Sequence, residues 1–402
     1  MATFALDKSP NIVLVSLDGL RSDVAYSGKL PALERIREQG IEFEHVVAPA
    51  PLTPISHASI FTGLFPPRHG IRHLFLEQLE EGVTTFPEVL QNHGYTTHAI
   101  VSCPGLHRWY GLAKGFDSYD DSLPPGPDGK DALYTVDVQA RGRAFKRASK
   151  VLDKAIGVLD AVSEQRFFLF LHFFDAHWPY EPPEPFNTLH KENPYEGEIA
   201  YIDQMLGQFL EEITQRGLAD NLMLIITADH GEDMAGLYPN DHGGKQLGHP
   251  EEEGHGCLLY DATQMVPLIV SFPDRYGQHR RVEHQVRLVD IAPTILDILG
   301  IDANLNFDGT SLVPHLNGAG KDLIGYCETH YPRENPQVLA KYPYLRNLQA
   351  VRVRQPGTEF KVIWHLESDV VEVYDLRQDP DERTNLLGSL NIVNGYDTNN
   401  SV

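Results

Sequence analysis

The sequence has few cysteines. Cys103, Cys257 and Cys327 are the only three among 402 residues, and none stands in a CxxC spacing. That count argues against a disulfide framework and against a zinc–thiolate site. Positive charge is also scarce, with 33 Lys and Arg against 56 Asp and Glu, a net charge of −23. Nucleic acid and anionic membrane are therefore excluded as main partners, because a negative surface repels both. Any site handling an anion must supply its own local compensation, from a metal or from cationic groups. No apolar run is long enough to span a membrane, "IVLVSL" near the start being far too short. The first residues, "MATFALDKSPNIVLVSLDG", show no basic segment followed by an apolar stretch and a cleavage site, so a cytoplasmic location is expected. No short-period repeat or low-complexity segment is visible.

What is present is a series of apolar runs ending on polar residues. "NIVLVSLDGL" stops on Asp18, "RFFLFLHFF" ends near Asp175 and His177, and "NLMLIITADHGED" ends on Asp229 and His230. "THAIVS" and "VPLIVSF" are further strand candidates. Such continuous runs suit strands buried on both faces. Helical patterns lie between them: "PALERIREQG", "VLDKAIGVLDAV" and "GEIAYIDQMLGQFLEEITQRG". In the last, Ile199, Ile202, Leu206, Phe209 and Leu210 share one face. "LVDIAPTILDILGI" reads as another helix. Alternation of this kind predicts an α/β fold, a large and mostly parallel sheet sandwiched by helices. Ligands bind such sheets at the carboxyl ends of the strands, where Asp18, Asp175, His177, Asp229 and His230 all fall. "DSLPPGPDGKD" reads as a surface loop. Beyond it, "LQAVRVRQPGTEFKVIWHLESDVVEVYDL" alternates around turns and predicts a small antiparallel subdomain. The expected organisation is a catalytic domain over 1–325, a C-terminal α+β subdomain over 326–390 and a tail over 391–402.

"PAPLTPISHASIFTG" predicts a short helix, with Thr53 as N-cap, Pro54 at the first helical position and Gly63 at the exit. Ala58, Ile60 and Phe61 give it an apolar face. Read with the strand ends, the Thr53 hydroxyl acquires a chemical use. Asp18, Asp229 and His230 form a mixed oxygen and nitrogen set that suits Mn²⁺, Zn²⁺ or Fe better than Ca²⁺. A helix N-terminus attracts an anion, and a hydroxyl bound to a divalent ion becomes a usable nucleophile towards phosphorus or sulfur.

The chain resembles the sulfatase group of the alkaline phosphatase superfamily from end to end. The resemblance runs through "NIVLVSLDGLRSD", "SHASIFTGLFPPRHGIR", "FFLFLHFFDAHWPY", "TADHGED", "GHGCLLYDATQMVPLIV" and "VYDLRQDPDERTNLL". It implies a metal-dependent ester hydrolase. Asp18, Thr53, Asp229 and His230 fall on the metal-ligand positions, and Thr53 on the nucleophile. His177 and His255 fall where the family contacts the transferring oxyanion, as catalytic and substrate-binding groups. His57 falls where sulfatases carry an arginine supporting the nucleophile and the substrate. The implied cofactor is a divalent ion, Mn²⁺ or Zn²⁺ in preference to Ca²⁺ or Mg²⁺. A second ion on Asp175, His177 and His255 is the less favoured variant.

Departures from the pattern decide the expected substrate. Sulfatases convert the cysteine or serine of a C/S-x-P-x-R signature to formylglycine, and "TPISH" offers a threonine, a shifted proline and a histidine. Threonine cannot be oxidised to that aldehyde. The family's active-site lysine has no counterpart in "AIVSCPGLH", and the Asp–Asp pair of calcium-binding sulfatases is Asp18–Gly19. Threonine nucleophiles belong to phosphoester-cleaving branches of the superfamily. The expectation is hydrolysis of a small phosphodiester, phosphomonoester or phosphonate ester, in a protein that is compatible with a homo-oligomer. Sulfate ester hydrolysis without formylglycine is the alternative. A non-catalytic relative of the fold is the second, weakened because all four ligand positions are filled.

Overall fold

The structure is a computed structural model that describes residues 9–125, 143–162, 165–272 and 279–388. The tail 391–402 and most of the Pro/Gly-rich loop, from Gly126 onward, lie outside the described residues. Eight strands form the main sheet: β1 (Asn11–Leu17), β2 (Gly40–Val47), β3 (Thr96–Ile100), β4 (Ser118–Asp120), β5 (Phe167–Phe173), β6 (Leu222–Thr227), β7 (Met265–Ser271) and β8 (Arg280–Arg287). Their order is β4-β3-β5-β1-β6-β7-β2-β8. Every described pairing in it is parallel except those of β7 with β6 and β2.

The fully apolar runs are the central strands. β1, β5 and β6 are buried along their whole length, as strands covered on both faces must be. β1 lies between β5 and β6, so the chain turns corners after Leu17, Phe173 and Thr227 at one common end. Two groups of helices flank the sheet. Pro31–Glu38, Ala148–Ala161 and Pro194–Gln215 pack together, as do Thr53–Thr62, Phe86–Asn92 and Ile291–Ile298 around the helix that bears Thr53. Asn193 caps the 22-residue helix by accepting from the Glu196 N–H at 3.2 Å, and Ile199, Ile202, Leu206 and Phe209 are its buried stripe.

β7 runs against its neighbours, which the apolar run "VPLIVSF" could not reveal. Its direction has a consequence for the site. An antiparallel strand begins where the others finish, so the loop leading into β7, which carries His255, is delivered to the same end as Asp18 and Asp229.

The C-terminal sheet is antiparallel throughout, in the order β12-β11-β10-β9, with β9 (Gly325–Thr329), β10 (Leu348–Gln355), β11 (Thr358–His365) and β12 (Val371–Asp375). β10 alternates buried and half-buried residues, the pattern of a sheet covered on one face. Buried ion pairs tie it to the main body. Asp261, just before β7, meets Lys361 of β11 at 2.9 Å and Arg352 of β10 at 3.1 Å. No helix among the described residues is long and apolar enough to cross a membrane.

Candidate active site

The helix Thr53–Thr62 differs in one respect from the reading of its sequence. Leu52, not Thr53, is the capping residue, and no side chain closes the N-terminus. Thr53 is the first helical residue, and its hydroxyl donates to Asp18 Oδ2 at 3.0 Å instead of accepting from the helix. Pro54, in the first turn, lacks only an N–H that the helix would have left unpaired. Gly63 closes the helix at φ 66°, where a Cβ would stand 2.5 Å from the Phe307 ring, so glycine is required by both backbone and space. All ten residues of the helix are buried, which fixes Thr53 firmly.

Asp18, Asp229 and His230 converge. Each offers a ligand atom within 4.8 Å of the other two, and all three are buried. His230 Nε2 lies 3.4 Å from Asp229 Oδ2, 3.9 Å from Asp18 Oδ1 and 3.5 Å from Thr53 Oγ1. The adjacent residues 229 and 230 can both face inward because they occupy the turn after β6, where the Asp229 Oδ1 atom accepts the His230 and Gly19 N–H groups at 3.0 and 3.3 Å.

Histidine tautomers follow from fixed acceptors. His230 Nδ1–H donates to the Gly231 carbonyl at 2.9 Å, leaving the Nε2 lone pair towards the carboxylates. His57 Nδ1–H donates to the Thr53 carbonyl at 2.8 Å, and its Nε2 accepts from Ser16 Oγ at 2.9 Å. Both His57 nitrogens are therefore occupied, and its ring braces the start of the Thr53 helix against β1. His177 Nδ1–H donates to the Trp178 carbonyl at 2.6 Å, and His255 Nδ1–H to Glu232 Oε1 at 2.9 Å. The His255 ring centroid lies 4.0 Å from that of His230 and 4.9 Å from that of His177. Thr53, His177, His255, Phe174, Phe75 and Cys103 line one cleft.

The donor set fits a divalent cation. Asp18 Oδ1 and Asp229 Oδ2 are buried with no hydrogen-bond partner, an arrangement that costs several kcal/mol unless a positive charge answers it. Among the described residues no lysine or arginine pairs with either carboxylate. Burial pushes the Asp18 carboxyl up to about 7, against the opposing pull of His230. Burial likewise raises Glu232 to about 8 and lowers His255 to about 4.

Asp175 stands apart. Its Oδ1 accepts from the Ala148 N–H at 3.1 Å and pairs with Arg147 Nε at 3.0 Å, so it anchors a helix, and it does not join His177 and His255 in any candidate ligand group among the described residues. The set Asp175, His177 and His255 is thus not assembled, and the second-ion variant read from the sequence does not survive.

Three residues of the site escaped sequence reading. His172, inside the apolar run of β5, points Nε2 at Asp18 Oδ2, 3.3 Å away. Cys103 lies beside both. Glu232 supports His255, and its Oε2 would be 3.1 Å from a Cβ on Gly19, whose φ is 68°. The Glu232 carboxylate thus occupies the space beside Gly19, where the Asp–Asp pair has its second member. The available signals were a polar residue in a fully buried strand and an acid directly after "DHG".

Comparison with known proteins agrees with this architecture. The profile of the family described as Sulfatase matches residues 10–301, and that of N-sulphoglucosamine sulphohydrolase, C-terminal, matches 256–394. Arylsulfatase K of Rattus norvegicus is 23% identical over 430 residues, covering 94% of this chain and 75% of that protein. Human Arylsulfatase K is 22% identical, covering 94% and 79%. Among solved structures, the phosphonate monoester hydrolase of Agrobacterium radiobacter superposes with a TM-score of 0.72 at 20% identity, covering 94% of this chain and 91% of that one. A protein solved with its substrate D-glucosamine-2-N,6-O-disulfate gives a TM-score of 0.73 at 20% identity, with coverages of 96% and 95%. With a family profile spanning most of the chain and a strand-end carboxylate cluster beneath the helix that follows β2, the protein belongs to the sulfatase family of the alkaline phosphatase superfamily and is an ester hydrolase.

Proposed function

We propose that the protein hydrolyses phosphoesters, with Thr53 as nucleophile and a divalent ion held by Asp18, Asp229, His230 and the Thr53 hydroxyl. The observation that carries this reading is the position of Thr53 Oγ1, 3.0 Å from Asp18 Oδ2 and 3.5 Å from His230 Nε2. It stands at the head of a rigid helix, in the slot where formylglycine-dependent relatives need cysteine or serine. When bound, the ion, Mn²⁺ or Zn²⁺ by its donor set, supplies charge neutralisation and makes the hydroxyl more acidic.

The residues do the rest. Thr53 Oγ1 attacks phosphorus, its proton released to solvent, and the bond from phosphorus to the leaving oxygen breaks. His177 and His255 reach the cleft through Nε2, each with Nδ1 tied to a fixed acceptor. An anionic phosphoryl group favours a proton on those nitrogens, which then hydrogen-bond the oxyanion or protonate the departing oxygen. Water cleaves the Thr53 phosphoester and restores the hydroxyl. The buried cluster needs cationic company, so the ion both completes the site and offsets the repulsion of substrate by a protein of net charge −23.

Sulfate ester hydrolysis is the second reading, favoured by the arylsulfatases among the relatives. Matched aryl phosphate, phosphonate and sulfate esters with one leaving group separate the two. The proposal expects faster turnover of a phosphorus ester and, after rapid quench, a phosphate-sized adduct on wild type that Thr53→Ala lacks. A strong preference for the sulfate ester would overturn the substrate class. Near-normal activity of Thr53→Ala would overturn the nucleophile.

A further inference from the structure

We infer that Cys103 and His172 form, with Asp18, a second and thiophilic cation site beside the first. The inference rests on the ion proposed above only in sharing Asp18. Nothing in the proposed chemistry uses Cys103 or His172, yet both are buried and face the same carboxylate.

Ser102 lies against His172. Its hydroxyl lies 2.8 Å from the His172 carbonyl oxygen, which can only accept, and 2.9 Å from His172 Nδ1, and when it donates to the carbonyl it accepts from Nδ1. That places the imidazole proton on Nδ1 and leaves Nε2 as a bare lone pair. A histidine that merely filled the strand would turn an N–H towards Asp18. Here two acceptors face each other instead, Nε2 and Asp18 Oδ2, 3.3 Å apart and deeply buried. His172 Nε2 has no hydrogen-bond partner. A cation between them resolves the clash.

The spacing agrees. Donors at about 2.0–2.3 Å around a tetrahedral zinc stand roughly 3.3–3.7 Å from one another. The Cys103, His172 and Asp18 ligand atoms all lie within 4.8 Å of each other, with the His172–Asp18 edge already at 3.3 Å. A sulfur, nitrogen and oxygen set selects Zn²⁺ over Mg²⁺ or Ca²⁺. It needs no second cysteine, so the missing CxxC spacing does not bear on it. Asp18 would bridge, with Oδ1 towards His230 at 3.9 Å and Oδ2 towards His172. His57, although near Asp229, is excluded as a ligand because both its nitrogens are engaged.

The test is a metal count on the full-length, reduced and metal-stripped chain, titrated with Zn²⁺ and, separately, with Co²⁺. Two equivalents are expected in wild type, and the Co²⁺ form should show a near-ultraviolet thiolate-to-metal charge-transfer band. Cys103→Ser and His172→Gln should each keep one equivalent, and Cys103→Ser should lose the band. The remaining equivalent and an unchanged circular dichroism spectrum report that these variants fold, with Cys103→Ala as a second substitution. Asp229→Asn should weaken the other equivalent and preserve the band. One equivalent in wild type without the band overturns the inference and leaves the Asp18–Asp229–His230 reading standing. Two equivalents unchanged in both Cys103→Ser and His172→Gln overturn it as well. Binding of no ion overturns both.

Discussion

Two buried acidic clusters in this molecule have opposite chemistry. Where the C-terminal sheet meets the main body, Asp261 is clasped by Lys361 at 2.9 Å and Arg352 at 3.1 Å, and Lys361 also meets Glu382 at 2.9 Å. At the carboxyl ends of β1 and β6, Asp18 and Asp229 have, among the described residues, only histidines as partners that could carry charge. Burial acts on both clusters, but the outcomes differ. Arg352 and Lys361 outweigh it at Asp261 and hold that carboxyl well below the usual carboxylate range, whereas burial drives Asp18 up to about 7; Glu382, which has Lys361 but not Arg352, is also pushed up to about 7. A fold that answers buried acids with arginine and lysine at its structural joint leaves them unanswered at the strand ends. The missing arginine or lysine at the second cluster supports the proposal of a cation there.

The largest effect should come from removing the group that the uncompensated cluster serves. Thr53→Ala is expected to lower phosphoester turnover by roughly 10⁴-fold or more while the other three ligands still hold metal, at reduced affinity. Steady-state rates and metal content on one preparation check both halves. The structural cluster should break differently. Lys361→Met leaves Asp261 and Glu382 with less cation and should cost about 3–5 kcal/mol of stability in denaturant unfolding, with metal content unchanged in the folded protein. If Lys361→Met lost metal instead, the two clusters would not be independent.

Next in size are the cleft histidines. His177→Ala and His255→Ala should each reduce turnover by roughly 10²-fold with the fold intact, the range expected for a lost proton donor or charge-stabilising group. Full activity in both would return them to the architecture. The smallest effect is the most diagnostic in sign. The folded Asp18 carboxyl sits at about 7 against an ordinary 3.8, so between those values the folded state holds more protons than the unfolded one. The stripped protein should lose stability as pH rises across that window. Asp18→Asn should flatten that loss and raise the melting temperature of the stripped protein at pH 8. Asp261→Asn should lower it. Two melting curves per variant decide the matter, and equal signs would erase the contrast.

Much of this arrangement was legible in the sequence, for identifiable reasons. β1, β5 and β6 are covered on both faces, so their sequences are continuous apolar runs, and the polar residues that follow mark the strand ends. β2 and β8 escaped because "GIEFEHVV" and "RRVEHQVR" interleave charges. Glu42 is buried in β2 where Arg37, His279 and Arg281 reach it at 3.3, 3.0 and 3.5 Å. β4, with three residues, is too short to leave a pattern. The direction of β7 is a property of the sheet and not of its own residues. Within the site, Asp18, Asp229 and His230 could be found because they end runs, whereas His172 lies within one. The sequence places the helix start near Thr53, while the structure gives the threonine hydroxyl a different task from capping. Local rules make threonine a cap, and a carboxylate 35 residues away in sequence outcompeted the helix for its hydroxyl.

Thermal unfolding of the metal-stripped chain against added Mn²⁺ or Zn²⁺ tests most directly whether the unanswered carboxylates hold a cation. A saturable rise in melting temperature is predicted, equivalent to about 2.7 kcal/mol at a hundredfold excess over Kd, and it should be much reduced in Asp229→Asn. A melting temperature indifferent to every divalent ion would contradict the account.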